Sequence, residues 1–123
     1  MLSHPCPALL EVVATEGAAA VRVLPRALDE VTARAVGGQL VDVADGLRGG
    51  VLYLDLGSVT YLTSTMLASL LDLQKKLRAA GGRLRLHNLT PTILEVFQVT
   101  RLNQVLEVYP ERLEPGVTIP ELA

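Results

Sequence analysis

Val51-Leu52-Tyr53-Leu54-Asp55-Leu56-Gly57-Ser58-Val59-Thr60-Tyr61-Leu62-Thr63-Ser64-Thr65-Met66-Leu67 is the stretch on which the reading of the chain turns. Its first six residues form an apolar run of strand length with aromatic and β-branched members, the pattern of a central strand covered on both faces. Thr63, Ser64 and Thr65 stand directly before Met66, Leu67, Leu70, Leu71, Leu73 and Leu77. That spacing lays a wide apolar stripe along a helix over residues 66–80, so the three hydroxyls are expected at a helix N-terminus. The first turn of a helix has unpaired N–H groups and a partial positive charge, and it receives a capping oxygen or an anion favourably. One of the three hydroxyls is expected to cap the helix.

Downstream, Gly81-Gly82 supplies a left-handed stop, and Lys75, Lys76 and Arg78 lie where a helix C-terminus prefers cations. Asp72, four residues before Lys76, is expected to pair with it along the helix. Arg83-Leu84-Arg85-Leu86-His87 alternates polar with apolar and reads as a strand. Strand, helix and strand then suit a parallel pair joined by a right-handed crossover, with the loop over residues 57–64 leaving the carboxyl end of the first strand, where sites collect. Thr90-Pro91 reads as a cap with proline at the first helical position, ahead of a short helix carrying Ile93, Leu94 and Phe97. Leu106-Glu107-Val108-Tyr109 adds a last strand before Pro110.

Upstream, residues 9–15 and 18–24 are β-prone runs separated by Glu16-Gly17, an antiparallel hairpin in which Ala18, Ala19 and Ala20 are weak strand formers. Asp29 is placed to cap a helix with Val36, Leu40, Val43 and Leu47 on one face. Gly37-Gly38 inside that helix costs about 1 kcal/mol per glycine relative to alanine, which calls for close packing or a kink there. Gly46, Gly49 and Gly50 mark its end.

The 123 residues suffice for one compact core and not for two ordinary domains. A lead-in over residues 1–8, a domain over 9–109 and a tail over 110–123 are expected. Half the residues are apolar but only three Tyr and one Phe are aromatic, so the core is aliphatic. With a net charge of −2 and dispersed Lys and Arg, nucleic acid is not the expected partner. A single cysteine, Cys6, excludes an intrachain disulfide and a multi-thiolate metal site, and no metal or other cofactor is called for. Residues 1–7 lack a basic leader followed by an apolar run, and no segment has the apolar length of a bilayer span; a cytoplasmic protein that is not integral to the membrane is expected.

The order hairpin, helix, strand, loop, helix, strand, short helix, strand, together with the loop residues, resembles the STAS domain family, whose simplest members are bacterial anti-sigma factor antagonists. The resemblance runs over residues 9–109. The family pattern has a strand ending in Asp-Leu-Ser, then an aromatic, an aliphatic, and Asp-Ser-(Ser or Thr)-Gly-Leu opening the helix; Asp55, Leu56, Tyr61, Leu62, Ser64, Thr65 and Leu67 match it. Thr63 stands where the family has Asp, and Met66 where it has Gly. The resemblance implies a single α/β domain with a mixed sheet of four to five strands and helices packed against it.

It further implies a non-catalytic regulator of transcription that binds an anti-sigma factor with serine-kinase activity. The phosphoacceptor is then Ser64, with Thr63 or Thr65 as alternatives, and the partner-binding face is Tyr61, Leu62, Thr63, Ser64, Thr65 and Met66. Phosphate there would add about −1.5 to −2 charges to a binding surface and favour release. Family members that work without this switch, as scaffolds or as subunits of lipid transporters, give the alternative, and a groove between the 57–64 loop and the neighbouring helix would suit a nucleotide or lipid. An enzyme would have to use Asp55, His87 and Ser64, whose local spacing suggests no nucleophile, base and orienter set.

Overall fold

The structure is a computed structural model and describes residues 9–15 and 17–109. The expected lead-in and tail, residues 1–8 and 110–123, and Glu16 of the expected turn, lie outside the described residues. β1 (Leu10–Thr15) and β2 (Ala18–Val23) pair antiparallel, Leu10 opposite Val23 and Thr15 opposite Ala18. Gly17 has φ +86°, a backbone conformation that a side chain would strain. The alanines that are weak strand formers by propensity do begin β2, because its place between two neighbours outweighs intrinsic preference.

β3 (Ala27–Leu28) leads into α1 (Glu30–Leu47), and the Asp29 carboxylate accepts from Thr32 N at 2.9 Å as its cap. The helix buries Ala33, Val36, Leu40, Ala44 and Leu47. Gly37 marks close packing: a Cβ there would stand 3.0 Å from Ser69 Oγ of α2 (Ser64–Ala79), whereas Gly38 faces open space. β4 (Val51–Asp55) follows, then β5 (Tyr61–Leu62), α2, β6 (Arg83–His87), α3 (Pro91–Val99), a short 3-10 turn at Leu102–Gln104 and β7 (Glu107–Tyr109). α2 stops at Gly81, φ +88°, with Gly81 N donating to Arg78 O at 2.9 Å and Gly82 N to Leu77 O at 2.7 Å.

The main sheet has the order β1-β2-β4-β6-β7, parallel except for β1. From β2 onward every crossover steps the same way across the sheet, so crossovers of one hand bring the helices to one face. The core follows that geometry: Val21, Leu52, Leu54, Leu84 and Leu86 pack with Val36, Leu40, Leu70, Leu73 and Phe97 in one aliphatic cluster. Ala18 and Tyr53 belong to a separate small cluster on the opposite face.

Two local expectations are corrected. Lys76 Nζ lies 2.9 Å from Asp45 Oδ1 of α1, so it bridges the two helices in place of the expected pair with Asp72. The segment read wholly as a loop contains β5, which pairs in parallel with β3, Ala27 opposite Tyr61 and Leu28 opposite Leu62. Such two-residue strands are too short to leave a pattern in sequence.

Candidate functional site

The loop between β4 and α2 is fixed along its whole length by hydrogen bonds to other elements. At its start Asp55 Oδ1 accepts from Gly57 N at 2.7 Å and from Asn88 Nδ2 at 3.3 Å, and Leu56 N donates to His87 O at 3.0 Å. Asn88 adopts φ +59°, a left-handed conformation that Asn tolerates better than most residues. Val59 N closes a turn onto Leu56 O at 3.0 Å, and both side chains are buried as anchors. Farther on, Thr60 N and Tyr61 N both donate to Arg26 O, at 2.8 and 3.3 Å.

Two threonine hydroxyls serve this loop, Thr63 being one of the three cap candidates for α2 and Thr90 the expected cap of α3. Thr63 occupies the N-cap position of α2 in extended conformation, yet makes no side-chain cap bond; its Oγ1 donates to Leu28 O at 3.3 Å and its N to the same oxygen at 3.2 Å. Thr90 precedes Pro91 at the start of α3 as expected, but its Oγ1 donates to Val59 O at 2.7 Å. Thr90 Oγ1 satisfies a buried carbonyl that would cost more to leave unpaired than a helix end open to water, and Thr63 Oγ1 adds a second bond to a carbonyl that already accepts from Thr63 N. The α2 N-terminus therefore has no side-chain cap and no acidic residue in its first turn.

Ser64, the first residue of α2, is exposed. Beside it Thr63 and Thr65 are half-buried, Tyr61 is 54% exposed, and Leu62 is half-buried against the core. Met66 is 0% exposed, so its side chain belongs to the core and the accessible face consists of the other five residues. Sequence reasoning missed the parts played by Arg26, Leu28, Asn88 and Thr90. The one local signal was Asn88-Leu89-Thr90, a turn-prone run directly after a strand.

The catalytic alternative separates on the same geometry. Asp55 and His87 are register partners on β4 and β6, buried at 3% and 4% exposure on the sheet face opposite the helices. No hydrogen bond joins either to Ser64, and the Asp55 carboxylate is engaged with Gly57 and Asn88. Among the described residues no group of three or more His, Cys, Asp or Glu could hold a metal ion, and no helix is long and apolar enough to cross a membrane. A cavity of about 360 Å³ is lined by Leu89, Leu94, Asn103, Val108 and Tyr109, none of which belongs to the 57–64 loop whose groove is expected for a ligand.

The family model described as "Mlab, STAS domain" matches residues 11–108. The anti-sigma-B factor antagonist of Bacillus subtilis (strain 168) is 28% identical over 81 residues, covering 66% of this chain and 72% of that protein. Among solved structures, the anti-sigma-factor antagonist (STAS) domain protein from Planctomyces limnophilus superposes with a TM-score of 0.74 at 20% identity, over 84% of this chain and 91% of its own. The Bacillus cell fate determinant SpoIIAA in its phosphorylated form gives 0.62 at 18% identity, over 83% and 92%. The two structural likenesses establish the fold, a mixed α/β sheet of five strands with helices on one side.

Proposed function

We propose, because this chain belongs to the STAS domain family, that it is a non-catalytic regulator that docks on an anti-sigma factor through Tyr61, Leu62, Thr63, Ser64 and Thr65. Phosphorylation of Ser64 by that partner, acting as a serine kinase, is the switch that releases it. The observation that carries this reading is an exposed serine hydroxyl at the first position of α2, presented by a loop that hydrogen bonds hold rigidly to β3, β6 and the segment before α3. A preformed face with an exposed serine hydroxyl beside a half-exposed tyrosine suits protein recognition, where rigid aromatic contacts contribute most. A phosphate at Ser64 would be tolerated within the domain, since the uncapped helix end is electropositive. Against an apposed partner surface the same charge brings repulsion and desolvation.

A second reading is a STAS subunit that docks without phosphorylation, as a scaffold or in a lipid transporter. It is supported by Thr63 and Met66, which stand where the antagonist motif has Asp and Gly, and by the description of the matching family model, which names Mlab. Co-purification with mass spectrometry separates the two. The first reading expects an anti-sigma factor among the captured proteins and phosphate on one of residues 63–65. Titration of that partner should then show S64A binding like the parent chain and S64D binding more weakly. Equal affinities for S64A and S64D would remove the switch.

A further inference from the structure

The two edges of the main sheet, β1 and β7, differ in how they meet solvent. β7 has three residues, and an edge strand that short offers little to pair with. β1 has six, in unbroken register with β2, and carries no bulge, proline or lysine. Four consecutive residues of it, Glu11, Val12, Val13 and Ala14, are exposed, Val12 at 44% and Val13 at 63%. An edge without those protections is a template for a further strand.

The register decides which backbone groups of β1 point outward. Leu24 N donates to Leu9 O at 2.9 Å, and the two residues are opposite in the same register that sets Leu10 against Val23. Bonded and non-bonded pairs alternate along an antiparallel ladder. Glu11 and Val13 therefore direct their N–H and C=O groups at Arg22 and Ala20 of β2, whereas Leu10, Val12 and Ala14 direct theirs away from the sheet. Among the described residues β1 pairs with β2 alone. Side chains alternate as well: Leu10 packs on the core, so Leu10, Val12 and Ala14 stand on the helix side, and Glu11 and Val13 on the other.

We propose that this edge pairs with the same edge of a second copy of the chain, antiparallel and two-fold symmetric about Val12, joining two main sheets into one. The occupant follows from the pattern, because an antiparallel strip of three outward residues centred on Val12 is its own complement. Leu10 falls opposite Ala14 of the other copy and Val12 opposite Val12, and each pair exchanges both backbone bonds. A two-fold on Glu11 or Val13 would leave Ala14 or Leu10 facing a residue outside β1. The side chains suit the same axis, a large Leu10 against a small Ala14 and valine against valine. Charge does not oppose the pairing. Glu11, the one charged residue of the strand, falls opposite Val13 and meets the other Glu11 only diagonally, and Arg22 of its own chain lies 3.6 Å from its carboxylate. None of residues 61–65 belongs to β1, so the pairing does not depend on the function proposed above.

Sedimentation equilibrium of the full-length chain in reductant, from micromolar to near-millimolar concentration, tests the pairing. One six-residue strand, about 20 Å long, makes a small interface, so a reversible and concentration-dependent dimer is expected. V12P removes an outward N–H and leaves the ladder between β1 and β2 complete, and V12K sets a charge at the axis with the backbone unchanged. Each is expected to weaken the dimer about tenfold or more. Two variants guard against one that fails to fold, which circular dichroism shows. Cross-linking reads the register in a C6S background, Cys6 being the single cysteine. V12C places two thiols on a pair with Cα atoms about 5.5 Å apart, within disulfide reach, whereas V13C sets them more than about 7 Å apart. Oxidised C6S/V12C is expected to run as a covalent dimer and C6S/V13C as a monomer. A parent chain that is monomeric throughout overturns the proposal. A dimer indifferent to both V12P and V12K, or one cross-linked equally from positions 12 and 13, puts the interface elsewhere and also overturns it.

Discussion

Thr63 Oγ1 donates to the Leu28 carbonyl across 35 residues of sequence, so the residue that opens α2 is tied to the strand that precedes α1. The two helix starts are thus held side by side, and the register of Leu28 with Leu62 repeats the tie one residue earlier.

Removing that tie has a definite cost. T63V keeps the shape and loses the hydroxyl, and is expected to destabilise the chain by about 0.5–1.5 kcal/mol, toward the lower end because the bond is long. T63S should stay close to the parent. Urea unfolding of both variants checks this; equal losses for the two would mean that the hydroxyl does not matter.

Loss of partner affinity in S64D should not come from unfolding. The first turn of α2 has no acidic residue, and a carboxylate there interacts favourably with the helix dipole by about 0.3–1 kcal/mol at low salt. Thermal melts are expected to place S64D at or slightly above S64A. A clearly lower melting temperature for S64D would contradict the uncapped helix end described above.

Gly37 and Gly38 should respond differently to alanine. G38A has open space and gains about 0.5–1 kcal/mol from reduced chain entropy and better helix propensity. G37A meets Ser69 Oγ at 3.0 Å, so its gain is smaller or negative. Stability measurements in an S69G background should bring G37A up toward G38A.

At the loop's origin a Cβ on Gly57 would overlap the Asn88 amide and press on Asp55 Oδ1. G57A is therefore expected to cost about 1–3 kcal/mol and to weaken partner binding by loosening the loop. Asn88 has φ +59°, which glycine adopts freely. G57A/N88G should recover part of the loss, and a double-mutant cycle reads the coupling.

The acid limb of stability should depend on Glu107. Hydrogen bonding from Arg83 holds its carboxyl below the usual glutamate range, with Tyr109 Oη donating a further bond at 2.9 Å. A carboxyl depressed in the folded state stabilises above its unfolded value, about 4.3, and that contribution fades as pH falls through the folded value. The difference between the parent chain and E107Q is thus expected to be full at pH 7 and to vanish in strong acid. Arg83 is half exposed, so its size should be no more than about 1 kcal/mol. Denaturation at several pH values reads the trend, and a difference that grows on acidification would refute the assignment.

The features legible in the sequence were those that act between near neighbours. The apolar spacings over α1 and α2, the Asp29 cap, Pro91 at the first turn of α3 and the Gly81 stop all work within one or two turns of chain, and each stands where its residues place it. The Val51 to Leu67 stretch identified the fold because a buried strand, a connecting loop and the start of an amphipathic helix are contiguous there. Two hydroxyl assignments, one charge assignment and one backbone pairing had alternatives both near and far. Thr63, Thr90, Lys76 and the β5 residues took the distant partner each time.

By itself, then, the sequence determined the order and character of the elements, the single aliphatic core and the position of Ser64 at the head of α2, since backbone preference and hydrophobic period are local properties. The tertiary structure alone decided that Met66 turns inward while Ser64 stays accessible. It also decided that threonines written as caps serve carbonyls about thirty residues away. A buried carbonyl without a partner costs more than a frayed helix end in water, and which carbonyls are buried is known only once the chain has packed.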